Sequence, residues 1–296
     1  MQQPNIYQYK FYLFTIAYNM VGDIAAAEDL VQDTFEKWLQ SDHEKVRQVK
    51  AYLSRILINK AIDKLEKLNK ERAAYKGVWM PQPLLTEEYL QEEHTLEYAV
   101  LFLLEKLNPY ERAIFVLKEV FSFPHQEIAI ALKITSDNCR QVLHRAKEKV
   151  RSPAKHQEAG LKKQQELLEA FLQAVYQKNF DKLQEIFLDD IVMYQDGGGK
   201  MAAALKPIAG REKITKFLDG IMRLEQETIF QIKPAWVNGA RGILIFRNKV
   251  LDTVFSIDVE QEKISKIFFI RNPDKIFLKL SNGLKDNDTL VLGLPH

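Results

Sequence analysis

Polar and basic side chains recur at helical spacing between residues 136 and 147. One face of the predicted helix carries Ser136, Arg140, His144 and Lys147, and it is flanked by Gln141 and Arg145. Arginine, glutamine and serine side chains form hydrogen bonds with base edges in the major groove of DNA, and lysine binds phosphate. The opposite face is apolar and consists of Cys139, Val142, Leu143, Ala146 and Val150. The pattern predicts a helix that packs on one side and contacts duplex DNA on the other, with an ordinary solvated helix as the alternative.

The residues before this helix fit the first part of a helix-turn-helix. Asn108 can cap a helix that has Pro109 in its first turn, and Glu111 stands where its carboxylate can reach back to the cap. A second helix is predicted over 124–132, and Thr135 is placed to cap the third. This order is typical of a reader of duplex DNA.

A second segment, 27–38, is predicted to be an amphipathic helix with an acidic outer face. Its inward positions are Leu30, Val31, Thr34, Phe35 and Trp38, and its outward positions are Glu28, Asp29, Gln32, Asp33 and Glu36. An acidic face repels phosphate, so its expected partner is a basic protein surface. A solvated helix is again the alternative.

A third segment, 51–72, combines a packing stripe with cations. Polar residues line its exposed faces, namely Asn59, Lys60, Asp63, Lys64, Lys67 and Lys70. Lysines follow a phosphate backbone, whereas Asn and Asp offer donors and acceptors to base edges. Such a helix suits a DNA strand whose bases are being taken out of the duplex.

Composition sets the class of protein. The chain has 296 residues and a formal net charge of +2, which hides two basic clusters. Residues 50–76 carry eight cations against three acids, and residues 133–151 carry six against two. Two patches on a nearly neutral chain suggest two nucleic-acid contacts. Cys139 is the only cysteine, and no apolar run reaches the roughly 18 residues of a membrane span. We expect a cytoplasmic protein that lacks disulfides, metal and cofactor and does not bind membranes.

The chain divides into helical and mixed parts. Residues 1–76 are predicted to be helical from Tyr7 to about Ala74, and 77–95, which contains WMPQP, is predicted to be a linker. Residues 96–152 form the helix-turn-helix block. Residues 160–285 read as helices followed by an antiparallel meander, which indicates an α+β domain with a cavity between helices and sheet.

These residues resemble the extracytoplasmic-function sigma factors of the sigma-70 family. The stretch from Ala27 to Trp38 is similar to the helix of region two that binds core polymerase. The stretch from Leu53 to Asp63 resembles the helix that reads the minus-ten element. Residues 107–147 resemble region four, which reads the minus-thirty-five element. Glu66, Lys133 and Pro124 depart from the family pattern.

The remaining motifs resemble those of sigma factors with a C-terminal SnoaL-like extension of the NTF2 fold. The motif residues are Trp79, Pro81, Pro83, Asp196, Gly197, Gly198, Gly199, Lys200, Asn272, Pro273, Asp274 and Lys275. The resemblance implies a multidomain chain, with two all-α domains that bind DNA and polymerase, the second a helix-turn-helix, followed by an α+β NTF2-like cone-shaped domain. The glycine run of 197–199 is either a tight turn or a small anion-binding nest.

The resemblance implies a transcription initiation factor whose partners are bacterial core RNA polymerase and promoter DNA. By this resemblance Asp29, Gln32, Asp33, Phe35, Glu36 and Trp38 bind the polymerase. The extension is expected to regulate the factor in cis, in response to an unidentified small ligand or protein. Two alternatives stay open, a helix-turn-helix regulator that acts without polymerase and an enzyme that uses the NTF2-like cavity.

Overall fold

The structure is a computed structural model that describes residues 5–42, 46, 48–86, 94–150, 158–225, 228–276 and 290–292. The chain forms two compact units. The first comprises Met1–Ala74, Glu92–Leu96 and Val100–Ser152, and the second comprises Tyr75–Gln91, Glu97–Ala99 and Pro153–His296. Residues of the predicted linker are therefore divided between the units. The predicted boundaries at residues 152 and 285 lie outside the described residues.

Three helices build the N-terminal part of the first unit, namely α1 (Lys10–Val21), α2 (Ile24–Leu39) and α3 (Val49–Arg72). Gly22 ends α1 with a φ of 67°, and the carboxylate of Asp23 accepts a hydrogen bond from the Ala26 amide to start α2. A left-handed glycine and an N-terminal cap therefore separate α1 from α2. The predicted helical block from Tyr7 to about Ala74 thus consists of three helices, with a non-helical gap between Leu39 and Val49 that was not predicted.

The helix-turn-helix follows α4 (Tyr98–Leu103) and consists of α5 (Pro109–Phe115), α6 (His125–Leu132) and α7 (Ser136–Val150). Asn108 and Glu111 form the predicted capping box. The Thr135 hydroxyl accepts a hydrogen bond from the Asn138 amide at 3.1 Å, which starts α7 as predicted. Lys133 occupies the tight turn with a φ of 55°, a conformation that disfavours side chains with a Cβ.

The second unit packs helices on one sheet. Its helices are α8 (Glu158–Tyr176), α9 (Phe180–Ile186) and α10 (Arg211–Leu224). Its strands are β1 (Leu85–Thr86), β2 (Phe187–Asp196), β3 (Ile208–Ala209), β4 (Phe230–Val237), β5 (Ala240–Arg247), β6 (Val250–Glu260), β7 (Lys263–Ile270) and β8 (Leu290–Leu292). The strand order is β1-β4-β5-β6-β7-β2-β3, with β8 also paired to β4. The predicted meander is the antiparallel run from β4 to β7.

One pairing was not predicted. β2 lies parallel to β7, with Tyr194 opposite Phe268, although the helices-then-meander pattern indicated antiparallel strands alone. The space between helices and sheet is filled by apolar side chains, among them Phe171, Phe187 and Phe255. None of the helices in the described part of the chain has the length and apolar character needed to cross a bilayer.

Candidate functional site

The polar face of α7 lies open to solvent in the first unit. Arg140, Gln141, His144, Arg145 and Lys147 are exposed and Ser136 is half-buried, whereas Cys139, Leu143, Ala146 and Val150 are buried. The predicted division of this helix into two faces is therefore what the structure shows.

Carboxylates lie beside three of the polar side chains on that face. Arg140 Nη1 lies 2.6 Å from Asp137 Oδ1, and Lys147 Nζ lies 2.9 Å from Glu119 Oε1. His144 Nε2 lies 3.5 Å from Glu148 Oε1. Because these pairs are largely exposed, each one contributes little to stability and can exchange its carboxylate for a phosphate or a base edge.

The face of α2 is acidic, as predicted. Asp29, Gln32, Asp33 and Glu36 are exposed. Phe35 and Trp38, which the resemblance assigned to polymerase binding, are only 8% and 3% exposed. Their rings therefore pack in the core beneath the acidic face, and of the six predicted residues only the four polar ones are exposed.

The six polar residues of α3 have different surroundings. Asp63, Lys67 and Lys70 are exposed and Lys64 is half-buried. Lys60 Nζ binds Asp33 Oδ2 at 3.1 Å, which links the basic helix to the acidic one. The Asn59 amide nitrogen donates to the Arg55 carbonyl at 2.7 Å and to the Ala131 carbonyl at 3.2 Å. The predicted base-reading amide is thus already in contact with the helix-turn-helix.

A buried network of charges joins the two halves of the first unit, and the sequence reasoning did not find it. Arg112 of α5 is 1% exposed, and its Nε donates to the Asn19 carbonyl of α1 at 2.9 Å. Glu105 accepts hydrogen bonds from both Arg112 and Arg72. Arg72, at the end of α3, also donates to the Val21 carbonyl at 2.5 Å. Burial lowers the pKa of Arg72 to about 10, against the opposing effect of Glu105, so the guanidinium stays charged at neutral pH.

The motifs of the second unit meet around one buried ion pair. Lys275 Nζ lies 2.7 Å from Asp196 Oδ2 and donates to the Met80 carbonyl at 2.6 Å. Asp196 also accepts from the Tyr75 hydroxyl at 2.5 Å and from the Met80 amide at 3.1 Å. The ammonium group stands 4.3 Å from the centre of the Trp79 ring. The ion pair therefore fastens the WMPQP segment to the ends of β2 and β7.

Two further hydrogen bonds, both involving tyrosine hydroxyls, complete this cluster. The Asn272 amide donates to the Tyr75 hydroxyl at 2.8 Å, and the Tyr98 hydroxyl donates to the Pro81 carbonyl at 2.8 Å. Burial, followed by the hydrogen bond to Asp196, raises the pKa of Tyr75. Pro81 and Pro83 are buried. The proline-rich segment is consequently an ordered part of the second unit.

The glycine run is a tight turn. The amides of Lys200 and Met201 donate to the Gly197 carbonyl at 3.0 and 2.9 Å, and the Gly198 amide donates to Asp196 at 3.0 Å. Gly198 has a φ of 62°, and a Cβ there would lie 2.5 Å from the Asn272 side chain. Lys200 Nζ pairs with Asp274 at 2.6 Å on the surface. Of the two interpretations left open by the sequence, the turn is the one observed, since the Gly198 amide is already used by Asp196.

Comparison with known proteins identifies the helical part. Residues 6–71 match sigma-70 region 2, and residues 98–150 match sigma-70 region 4. The two helical segments thus carry the two conserved regions of a sigma factor. These matches show sigma-70 regions 2 and 4 in this chain, and the relatives to which it is similar are extracytoplasmic-function (ECF) sigma factors. The resemblance noted in the sequence is confirmed.

Relatives extend this similarity along the chain. It is 26% identical over 280 residues to the ECF RNA polymerase sigma factor SigJ of Mycobacterium tuberculosis (strain ATCC 25618 / H37Rv), over 89% of each chain. It is 26% identical over 277 residues to the probable ECF RNA polymerase sigma factor SigI of the strain CDC 1551 / Oshkosh, over 90% of this chain and 92% of the relative. The crystal structure of SigJ superposes with a TM-score of 0.73 at 24% identity, over 92% of this chain and 98% of SigJ. The fold of SigJ therefore includes both helical regions and the C-terminal α+β part.

Proposed function

We propose that this chain directs bacterial core RNA polymerase to specific promoters. The observation that carries the proposal is the match to sigma-70 regions 2 and 4, combined with charged faces on α2, α3 and α7 that lie on the outside of the unit. The acidic face of α2 suits a basic polymerase surface, since opposite charges steer association and fix orientation.

The two DNA contacts use different chemistry. The α3 lysines are placed to follow the backbone of a separated strand, while Asn59 and Asp63 present groups to its bases. On α7, Arg140, Gln141, His144 and Arg145 are placed to enter the major groove, where a good base contact contributes about 1–3 kcal/mol of discrimination. Specificity then requires both contacts at the correct spacing on the promoter.

We infer that the second unit regulates the factor in cis. The support is the ordered WMPQP segment, which the Asp196–Lys275 pair holds against the sheet and which lies in sequence between regions 2 and 4. A ligand or protein that prefers one state of this segment would shift the equilibrium between states of the chain. The place of action is the cytoplasm, where core polymerase works.

An enzyme that uses the NTF2-like fold has less support. Asp252, a carboxylate of β6, accepts hydrogen bonds from Arg271 at 3.0 and 3.2 Å. Burial opposes ionisation of Asp252, but the hydrogen bonds from Arg271 and Thr253, together with the charges of Arg271 and Arg247, outweigh burial and lower the pKa of Asp252. A carboxylate held in this way is a poor proton donor at neutral pH. His296, the histidine nearest the chain end, lies outside the described residues.

The test is reconstituted transcription with core polymerase on sheared genomic DNA of the source bacterium. The full-length chain should yield discrete transcripts that core polymerase alone does not produce. Charge reversal at Asp29→Lys should remove them by abolishing co-purification with core polymerase, whereas Glu169→Lys, an exposed reversal on α8, should leave them. Specific operator binding by the free chain without any polymerase-dependent transcript would instead support the helix-turn-helix regulator.

A further inference from the structure

One cleft of the first unit takes no part in the polymerase and DNA contacts described above. It lies between the N-terminal end of α1, the first turn of α3 and the segment that leads into α6. Its volume is about 580 Å³, within the range of roughly 300–1,000 Å³ that small-molecule sites occupy. The residues that line it include Tyr9, Tyr12, Lys50, Phe121, Phe123 and Glu127.

Aromatic rings form much of the wall of this cleft. The rings of Tyr12 and Phe121 meet edge to face, with their centres 5.3 Å apart. The His94 ring stacks on Phe121 at 4.5 Å. Phe121 is only 8% exposed, whereas Tyr9, Tyr12 and Phe123 are half-buried. Packing therefore fixes the rings in position while part of their surface stays open to the cleft.

The backbone that carries the two phenylalanines is irregular. Helix α5 continues as a π-helical turn over Val116–Val120, and Ser122 has a φ of 58°. Turns of the π type are rare and occur mostly at functional sites, and a positive φ is unfavourable for a residue other than glycine. Lys118 Nζ donates to the Phe123 carbonyl at 3.3 Å and holds the segment. A strained segment thus places Phe121 and Phe123 beside Tyr12.

A cation already lies over one of these rings. Lys50 Nζ stands 3.9 Å from the centre of the Tyr12 ring. Burial, to which the charge of Glu127 adds, raises the pKa of Tyr12 to about 12 against the hydrogen bond with Ser54, so the ring is that of a neutral phenol. Neither Lys50 nor Glu127 forms an ion pair with another residue that the structure describes. An electron-rich ring face and a carboxylate without a bound cation therefore share the cleft.

We propose that this cleft binds a small organic cation that carries a quaternary ammonium group. The group lies on the face of Tyr12, with Glu127 as its counter-charge, in the place that the Lys50 ammonium occupies in the free chain. Aromatic rings recognise quaternary ammonium groups through their negative faces. A lysine ammonium is strongly hydrated and Lys50 is exposed, so the ligand can displace it into water. The site goes beyond the proposed function, since none of its residues belongs to the polymerase or DNA contacts.

A pair of probes of equal shape tests the site on the full-length chain. Choline carries the quaternary ammonium, and 3,3-dimethyl-1-butanol is its neutral counterpart with carbon in place of nitrogen. Titration by saturation-transfer NMR should show that choline binds about tenfold more tightly than the neutral alcohol. Equal affinities, or no saturable binding of choline, would overturn the proposal whether or not the chain directs transcription.

Two charge variants locate the site. Lys50→Met removes the competing ammonium and should strengthen choline binding about threefold or more, whereas Lys37→Met, an exposed cation of α2, should change it less than twofold. Glu127→Gln should weaken choline binding about threefold or more, and Glu71→Gln on α3 is its matched control. Choline affinity that is the same in Lys50→Met, Glu127→Gln and the controls would place the ligand elsewhere and contradict the proposal.

The ring of Tyr12 is tested without loss of its shape. Tyr12→Phe gives the reference, and phenylalanine with one, two or three ring fluorines at the same position weakens the negative face stepwise. The logarithm of choline affinity should fall with each fluorine, because the attraction between cation and ring is electrostatic. Affinity that does not change with fluorination in folded chains would refute the contact between the ammonium group and Tyr12.

Discussion

Replacing Lys275 with Met should release the WMPQP segment from the second unit. The Lys275 and Asp196 side chains are only 9% and 0% exposed, so the variant leaves a carboxylate in the interior without its counter-ion. Breaking a buried pair by removal of one partner costs about 3–5 kcal/mol. Asp196 keeps donors from Tyr75, Met80 and Gly198. We therefore expect the lower end, about 3 kcal/mol, for local opening of this cluster.

Hydrogen exchange measures that opening without unfolding the whole chain. The Met80 amide donates to Asp196, so its protection reports on the cluster. A loss of about 3 kcal/mol corresponds to roughly 150-fold faster exchange in the peptide that contains Met80. Lys200→Met is the matched control, since its pair with Asp274 is exposed and its loss should change exchange less than threefold.

A double-mutant cycle separates the ion pair from general damage. Asp196→Asn alone should be as harmful as Lys275→Met, because it leaves a buried ammonium group without its counter-charge. The double variant removes both charges and should be less harmful than the two single effects added together, with a coupling of about 2 kcal/mol or more. Additive effects, or a single-variant effect below about 1 kcal/mol, would refute the view that this ion pair fastens the segment.

Three further changes give distinct readouts. Arg140→Ala should remove about 1–3 kcal/mol of discrimination at one base pair of the minus-thirty-five element, measured by transcription from single-base promoter variants. Asp252→Asn should flatten the acid unfolding of the second unit. Although burial opposes it, Arg271 helps to lower the pKa of Asp252 below its ordinary 3.8, so the stabilising effect of Asp252 is present above pH 3.8 and is lost as the pH falls. An unchanged acid transition in the variant would contradict this. Gly198→Ala should destabilise the unit by about 1–2 kcal/mol or more in urea, because the left-handed φ is unfavourable for alanine and its Cβ would meet Asn272; wild-type stability would argue against the turn geometry.

The sequence predicted the features of the fold that depend on near neighbours. The Asn108 capping box, the Thr135 cap and the two faces of α7 all follow from residues within one or two helical turns. The strands from β4 to β7 follow from alternation and turn residues in the same way. Local patterns of this kind are sufficient to place the charged faces that the family then assigned to polymerase and DNA.

Such local patterns could not predict contacts between residues that are far apart in the sequence. The parallel pairing of β2 with β7 joins strands that are separated in the chain by residues 197–262. From the sequence alone, Arg112 would be interpreted as an exposed cation on a helix. In the structure it is buried and donates to the carbonyl of Asn19 in α1, 93 residues earlier in the chain. The burial of Phe35 and Trp38 was not predicted either. A family motif does not distinguish residues that contact a partner from residues that support those contacts.

The pairing of charges on α7 limits how strongly this helix can bind phosphate. Asp137 and Glu119 lie within 2.9 Å of Arg140 and Lys147, so a phosphate that binds either cation must first displace a carboxylate. The net gain from each such exchange is small, and the affinity of the isolated helix for any duplex is correspondingly low. Discrimination between base edges is retained, since the displaced carboxylate is the same for every sequence. A factor built in this way gains promoter affinity from the polymerase that carries it, while its own side chains decide which promoter is chosen.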